Sequence, residues 1–250
     1  AGIIRLFKTD DGMPQGLAGA HDGTITGLVY ASNNNFVLSA GADGFVRKWP
    51  KSLPPSRVIT GNAAAIDVLD LSPNNSVIAT GSADKIARLW NFADGKPLRN
   101  LDGHPAAVTA IGFSPNSAQV ATGGADKVAR LFGVADGKLL KAFPALGGPV
   151  TAVAISPNGQ LLAAGDMVGG VKLFKTADAT EAAAIAGHGG GISGLTFTPN
   201  GAQLVTGCRD KSIRVFNVAD GKLLRSIANG AEVTALAVSA NAVLLAAGSA

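Results

Sequence analysis

One unit recurs along the chain at a period of 41 or 42 residues, and that period restricts the fold more than any other feature. VTAIGFSPNSAQVATGGADKVARLFGVADGKLL, from Val108, returns as ISGLTFTPNGAQLVTGCRDKSIRVFNVADGKLL from Ile192 and as IDVLDLSPNNSVIATGSADKIARLWNFADGKPL from Ile66. More divergent copies keep register: ITGLVYASNNNFVLSAGADGFVRKW from Ile25, VTAVAISPNGQLLAAGDMVGGVKLF from Val150 and VTALAVSANAVLLAAGSA from Val233. A unit this short cannot bury its apolar faces alone, so neighbours must stack into one core.

Each copy reads as four short strands. VTAIGF alternates, SPNS or TPNG turns the chain with Pro and Asn, an Ala-Asp-Lys turn joins QVATGG to KVARLF, and ADGK leads into a fourth strand such as LLKAF. Both faces of these strands are largely apolar, as expected for a sheet sandwiched between two others like itself, which argues for a β-propeller. Charged residues at 15%, aromatics at 5% and 33 glycines suit such strands better than helices.

Four positions of the unit carry a resemblance. A Gly-His pair before the first strand, Ser or Thr in the second, Asp at the second turn and Trp or Phe ending the third resemble the WD40 repeat family, and the pattern covers essentially the whole chain. Its Ala/Gly-rich, DGK-punctuated style is similar to bacterial WD40 arrays. The resemblance implies an all-β, six-bladed propeller with four antiparallel strands per blade, as a single domain over residues 1–250, with first strands starting near 25, 66, 108, 150, 192 and 233. It also implies a hydrogen-bonded tetrad in each blade.

Carried over by position, repeat one keeps His21, Ser39, Asp43 and Trp49. Repeat two has Asn62 for the histidine, with Thr80, Asp84 and Trp90. Repeats three and five have His104, Thr122, Asp126 and His188, Thr206, Asp210, with Phe132 and Phe216 at the aromatic position. Phe has no indole N–H, so those two networks are expected to be shorter. Repeat four has Leu146, Ala164 and Val168 with Phe174, and repeat six has Asn229 and Ala247, so both are expected to rest on packing alone.

All three histidines fall at this one register. A catalytic His-Asp-Ser site has no reason to recur around an array, so the expectation is a non-enzyme, with no catalytic, cofactor or metal residues. Histidines on separate blades are also too far apart to share an ion. A second recurring feature, Arg5, Arg47, Arg88, Arg130, Lys172 and Arg214 in the third strand, reads as buried stems with paired heads. No Gly-rich stretch is a phosphate loop, since GHGGGISG has no Lys-Ser/Thr and precedes a strand.

The candidate partner-binding residues are Lys85, Lys127 and Lys211, each following a tetrad aspartate, with Arg209, Asp22 and Glu232. The resemblance implies contact through the positions before the first strand and before the tetrad Asp. Here these read AAA, PAA, GGP, GGG and mostly Ala, so Arg209 stands out, with Met167 a lesser exception. The expected function is a non-catalytic scaffold, a monomer that binds a protein or peptide. One alternative is an excised or engineered module of a longer polypeptide with no partner of its own, distinguished by flanking domains in the parent gene. Another is an enzyme, which would use a non-repeating cluster where only Asp22, Asp67, Asp70 and Glu232 are scattered. An anion or nucleic-acid binder would show steep salt dependence through the three lysines.

A net charge of +4, from 21 basic and 17 acidic residues spread along the chain, is not a nucleic-acid tail. Cys208 is the single cysteine, so no intramolecular disulfide or Cys-rich zinc site exists. The uncharged window 233–248 is centred on a turn, reads as a hairpin rather than a membrane span, and leaves a cytoplasmic location as the expectation. The opening AGIIRLF reads as the interior of a strand. Placed after the closing AGSA it supplies a third strand, and Val233 across this junction to Ile25 is again 42 residues. Residues 1–19 are therefore expected to complete the last blade in a two-plus-two closure, with Ala1 where a tetrad aspartate belongs.

Overall fold

The computed structural model describes residues 2–7, 13–32, 35–50, 57–185, 187–239, 241 and 244–249. Among them every regular element is a β-strand. The chain begins with an antiparallel pair, β1 (Gly2–Phe7) and β2 (Pro14–His21). Unit 1 holds β3 (Ile25–Tyr30), β4 (Phe36–Gly41), β5 (Val46–Pro50) and β6 (Arg57–Ile59). Unit 2 holds β7 (Ile66–Leu71), β8 (Val77–Ser82), β9 (Ala87–Asn91) and β10 (Pro97–Leu101), and unit 3 holds β11 (Val108–Phe113), β12 (Gln119–Gly124), β13 (Ala129–Gly133) and β14 (Leu139–Ala142). Unit 4 holds β15 (Val150–Ile155), β16 (Leu161–Asp166), β17 (Val171–Lys175) and β18 (Glu181–Ile185), and unit 5 holds β19 (Ile192–Phe197), β20 (Gln203–Cys208), β21 (Ser212–Asn217) and β22 (Leu223–Ala228). A second isolated pair, β23 (Val233–Val238) and β24 (Leu245–Ser249), ends the described chain. Each of the five units is a four-stranded sheet paired in chain order.

The turn chemistry read from the sequence acts through side chains. Ser114 Oγ donates to Asn116 Oδ1 at 2.7 Å and accepts the Gln119 N–H at 2.9 Å, and Ser72, Ser156 and Thr198 repeat the arrangement. In ADGK, Asp136 Oδ1 accepts the Lys138 N–H at 3.1 Å and Gly137 takes φ +71°.

Register repeats as faithfully as sequence. Every first strand meets its second with one unpaired residue just after the anchor: Val108 faces Gly124, and then Ala110 faces Gly123, leaving Thr109 as a bulge. Thr26, Asp67, Thr151, Ser193 and Thr234 hold the same position. A bulge re-aims its side chain, and here it turns hydroxyls onto the next unit. Thr26 Oγ1 donates to Ile66 O at 2.6 Å, Thr109 Oγ1 to Val150 O at 2.5 Å and Thr151 Oγ1 to Ile192 O at 2.5 Å.

Units 2 to 5 each add a steric lock, where unit 1 has Ala40. A methyl group added at Gly81, Gly123, Gly165 or Gly207 would fall 2.7, 2.4, 2.6 or 2.6 Å from a methyl carbon of Val108, Val150, Ile192 or Val233, the anchor of the following unit. Around each lock, consecutive sheets bury a shared core. Leu38, Ala40 and Val46 of unit 1 meet Ile66, Leu69, Ile78 and Trp90 of unit 2, and the other neighbours follow suit. One position departs from the pattern. Lys48 stands where later units have Leu89, Leu131 and Leu173, and its ammonium lies 4.2 Å from the Phe36 ring and 3.8 Å from that of Phe92, donating to Phe92 O at 3.1 Å.

Among the described residues no ladder links β24 to β1, so the expected joining of the chain's two ends into one sheet is not seen there. No polar network spans that seam, since Ala247 carries no polar group and Asn229 Nδ2 turns back to Ala231 O at 3.1 Å. Ala1 and Ala250, which the closure places at the missing turn, lie outside the described residues. The two pairs nonetheless carry different registers. β23–β24 has the anchor bulge of a first–second pair. β1–β2 slips between Leu6 and Phe7, where β9–β10 slips between Leu89 and Trp90, as a third–fourth pair does. Ile4 is buried against Val37 and Trp49 of unit 1, while Val233 and Leu236 pack on unit 5. At the open ends Leu28 and Tyr30 are 56% and 61% exposed, where their counterparts Leu69 and Leu71 are each 7% exposed.

Replacing Gly123 by Val tests the lock. Overpacking against Val150 should destabilise the protein by about 1–3 kcal/mol, read as a lower denaturant midpoint at unchanged m-value.

Candidate interaction face

The tetrad positions converge at one end of each unit, where the segment entering the first strand meets the turn between the second and third. In unit 1, Trp49 Nε1 donates to Ser39 Oγ at 2.8 Å, Ser39 Oγ lies 2.7 Å from His21 Nε2, and His21 Nδ1 lies 2.8 Å from Asp43 Oδ1. Arg47 Nη1 also lies 2.6 Å from His21 Nδ1, so imidazole, carboxylate and guanidinium form one cluster beside the hydroxyl that accepts from the indole. In unit 2, Trp90 Nε1 donates to Thr80 Oγ1 at 2.9 Å, and Asn62 sits 3.4 Å from Thr80.

The Phe-bearing units lack the indole donor. In unit 5, Thr206 Oγ1 donates to Arg214 O at 3.3 Å and lies 2.7 Å from His188 Nε2, and Arg214 Nη1 bonds His188 Nδ1 as Arg47 Nη1 does His21 Nδ1. Losing the indole thus shortens the network. In unit 3, His104 Nε2 meets Thr122 Oγ1 at 2.8 Å, while its buried Nδ1 has no hydrogen-bond partner among the described residues. Burial, reinforced by Arg130, pushes the His104 imidazole down to about 4, and burial with Arg214 lowers His188 as well.

The recurring third-strand cations end in these networks. Arg47, Arg88, Arg130 and Arg214 reach Asp43, Asp84, Asp126 and Asp210 at 2.8, 2.8, 2.6 and 3.0 Å, and Lys172 pairs with Glu181 at 2.8 Å because unit 4 has no aspartate at that place. The Arg5 side chain lies outside the described residues. Each aspartate also accepts the N–H two residues on, from Phe45, Ile86, Val128 or Ser212. A second carboxylate oxygen accepts the N–H of Asp22, Ala63 or Gly189 at the entry to the first strand. Unit 3 has Pro105 there, with no N–H to give. Although burial works against it, the Ser212 hydroxyl, the Gly189 N–H and Arg214 hold Asp210 well below the usual carboxylate range.

Unit 4 does not rest on packing alone. Asp166, two residues before the expected position, accepts the Gly148 N–H at 3.2 Å with one oxygen and those of Val168 and Gly170 at 3.0 and 2.8 Å with the other. It ties together the same two segments from a buried side chain. The sequence signal was an Asp where other units have Gly41, Ser82, Gly124 or Cys208. His188, Cys208 and Asp210 bring possible ligand atoms within 4.8 Å of one another. Arg214 already bonds both His188 and Asp210, and burial pushes the Cys208 thiol up.

The candidate partner-binding residues lie at this same end, Arg209 and Lys211 together on unit 5 and the others on separate units. Lys85, Lys127 and Lys211 are exposed with φ of 72°, 70° and 66°, at the place where units 1 and 4 have Gly44 and Gly169. Asp22 and Glu232 are exposed beside the entries to β3 and β23. Arg209 lines a pocket. That pocket, of about 260 Å³, is bounded by Thr109, Thr151, Ser193 and Thr234 from four successive bulges, by Ile192 and Val233, and by Arg209. Burial of Asp70, between the N–H groups of Leu71 and Phe113 at 2.8 and 3.0 Å, pushes its carboxyl up to about 6.

Sheets of this register, four of them with polar networks at the His/Asn, Ser/Thr and Asp positions and the other tied by Asp166, define a WD-type repeat array. The chain belongs to the WD domain, G-beta repeat family, whose model matches residues 14–50, 53–91, 95–132, 137–174 and 180–217. It is similar to eukaryotic translation initiation factor 3 subunit I of Aspergillus niger, 32% identical over 85 residues, 33% of this chain and 25% of that protein. It is also similar to polyadenylation factor subunit 2 of Candida albicans, 29% identical over 80 residues, 32% of this chain and 15% of that protein. A guanine nucleotide-binding protein subunit beta-like protein of Encephalitozoon cuniculi matches at 29% over 73 residues, 29% of this chain and 22% of the relative. The matched segment thus spans a quarter or less of these relatives. Among the described residues no helix is long and apolar enough to cross a membrane.

The histidine environments predict an acid response. Because His104 titrates near 4 when folded and 6.5 when free, the unfolded chain takes its proton first, so stability falls as pH drops through that window. Asp70, raised to about 6 from 3.8, acts in the opposite sense. Urea unfolding of His104→Gln at pH 7 and pH 5 should therefore show less acid destabilisation than the parent, by on the order of 1–2 kcal/mol.

Proposed function

We propose that the chain acts as a non-catalytic protein-interaction platform, using the end of the array that carries the tetrad networks. The observation that carries this reading is the contrast between Arg209 and the other candidate chemistry. Each histidine is held in a structural network within its own unit, and the third-strand cations Arg47, Arg88, Arg130, Lys172 and Arg214 are paired, whereas Arg209 is exposed beside a pocket and has no polar side-chain partner among the described residues. The names of two similar proteins, an initiation factor subunit and a polyadenylation factor subunit, support a role within an assembly.

We further propose a six-bladed ring in which β1–β2 and β23–β24 together form the last blade. The complementary registers of the two pairs and the seats they occupy on units 1 and 5 support it. The bulge residues would then ring a central channel, with Arg209 at its mouth. Arg209, Lys85, Lys127, Lys211, Asp22 and Glu232 would form the contact face.

Affinity capture from the source cell, with quantitative comparison of the parent and an Arg209→Glu/Lys211→Glu double variant, tests the platform. The expected result is selective loss of one set of captured proteins at unchanged melting temperature. Identical captured sets from both proteins would contradict the assignment of this face.

A further inference from the structure

We propose that the pocket beside Arg209 is a seat for an acidic side chain of a partner peptide, with the peptide's main-chain N–H groups received by the bulge hydroxyls. The inference rests on the platform reading and gives its occupant a chemistry. It comes from asking what each lining group still has to offer once its internal bonds are made.

Three of the four hydroxyl protons are committed. Thr109 Oγ1 donates to Val150 O at 2.5 Å, Thr151 Oγ1 to Ile192 O at 2.5 Å and Ser193 Oγ to Gly207 O at 3.2 Å. A hydroxyl that has spent its proton presents lone pairs, so this side of the pocket accepts hydrogen bonds. The opposite polarity comes from Arg209. Its main chain is anchored by N–H donation to Gly191 O at 3.0 Å, while the exposed guanidinium has no carboxylate among the described residues to neutralise it. No acidic residue lines the pocket. Asp67, the one bulge residue that carries charge, sits on unit 2 and not on the units that build this wall.

An occupant must therefore supply N–H donors to one side and a planar anion to the other. A main-chain segment with an Asp or Glu side chain does both, and a guanidinium takes a carboxylate in paired hydrogen bonds that an ammonium cannot match. A free cation would meet the acceptors but be repelled by Arg209, and an apolar side chain would leave both sides unsatisfied. The turn next to Arg209 adds an apolar margin, with Met167 and Val168 50% and 64% exposed and Gly191 lying against the Met167 main chain. That margin gives the residue beside the acid a surface to cover.

The probes are acetylated, amidated alanine pentapeptides with a central Glu, Gln or Lys, titrated to roughly millimolar concentration into the isotope-labelled protein and followed by NMR. The Glu peptide should shift the amides of Thr151, Ser193 and Arg209 and bind about tenfold more tightly than the Gln peptide, with the Lys peptide weakest. Arg209→Gln should abolish the Glu preference while leaving the rest of the spectrum in place. Equal binding of Glu and Gln peptides to the parent, or a Glu preference that survives in Arg209→Gln, would overturn the charge preference and leave the platform standing. Shifts with none of the peptides would overturn the seat itself, and the capture experiment would still decide the platform independently.

Discussion

A β-branched anchor from one sheet set into the glycine of the sheet before it is the contact on which the structure depends. Val108 on Gly81, Val150 on Gly123, Ile192 on Gly165 and Val233 on Gly207 bring neighbouring sheets closer than any side chain at the glycine would allow. Beside two of these glycines the bulged hydroxyl of one first strand reaches the next anchor's carbonyl, as Thr26 also does beside Ala40. The two contacts reinforce each other, because the bulge that re-aims the hydroxyl also shifts the register that sets the anchor against its glycine. Unit stability is therefore shared between neighbours, as in other arrays in which a repeat contacts only the copies on either side.

What the sequence made legible was whatever repeats within a window of a few residues. The turns could be read because Pro, Asn and Gly have local conformational reasons to be there, and the strand order followed from the period. Asp166 was misread because its role depends on a three-dimensional equivalence: a carboxylate two residues early in β16 still reaches the entry to β15. Lys48 was missed because pattern places leucine there, and only packing reveals the two rings that hold its ammonium. The bulge hydroxyls were in plain view as the Thr or Ser after each anchor, but a donor cannot be paired with a carbonyl some forty residues away, 41 for Thr109 and Val150, without the stacking of sheets.

Function is read from what these demands leave over. Histidine, aspartate and arginine, the residues most often recruited for chemistry, are used here to fasten the entry of each unit to its second turn. The network tolerates loss of the indole: with Phe216 in place of Trp, the Thr206 hydroxyl still holds His188, and Arg214 still bonds it as Arg47 does His21. Arg209 falls outside this economy. It stands at the end of the array where bulges from four units meet, with its charge unspent.

The proposed ring would carry this stacking through six units and back to the first. Transferring the Thr80–Arg88 register to the seam places Ala247 opposite Arg5. In a Cys208→Ser background, Arg5→Cys together with Ala247→Cys should form a disulfide within single chains under mild oxidation, seen as a monomeric cross-linked species with a raised melting temperature. Thiols that stay reduced, or that link only one molecule to another, would contradict the closed ring.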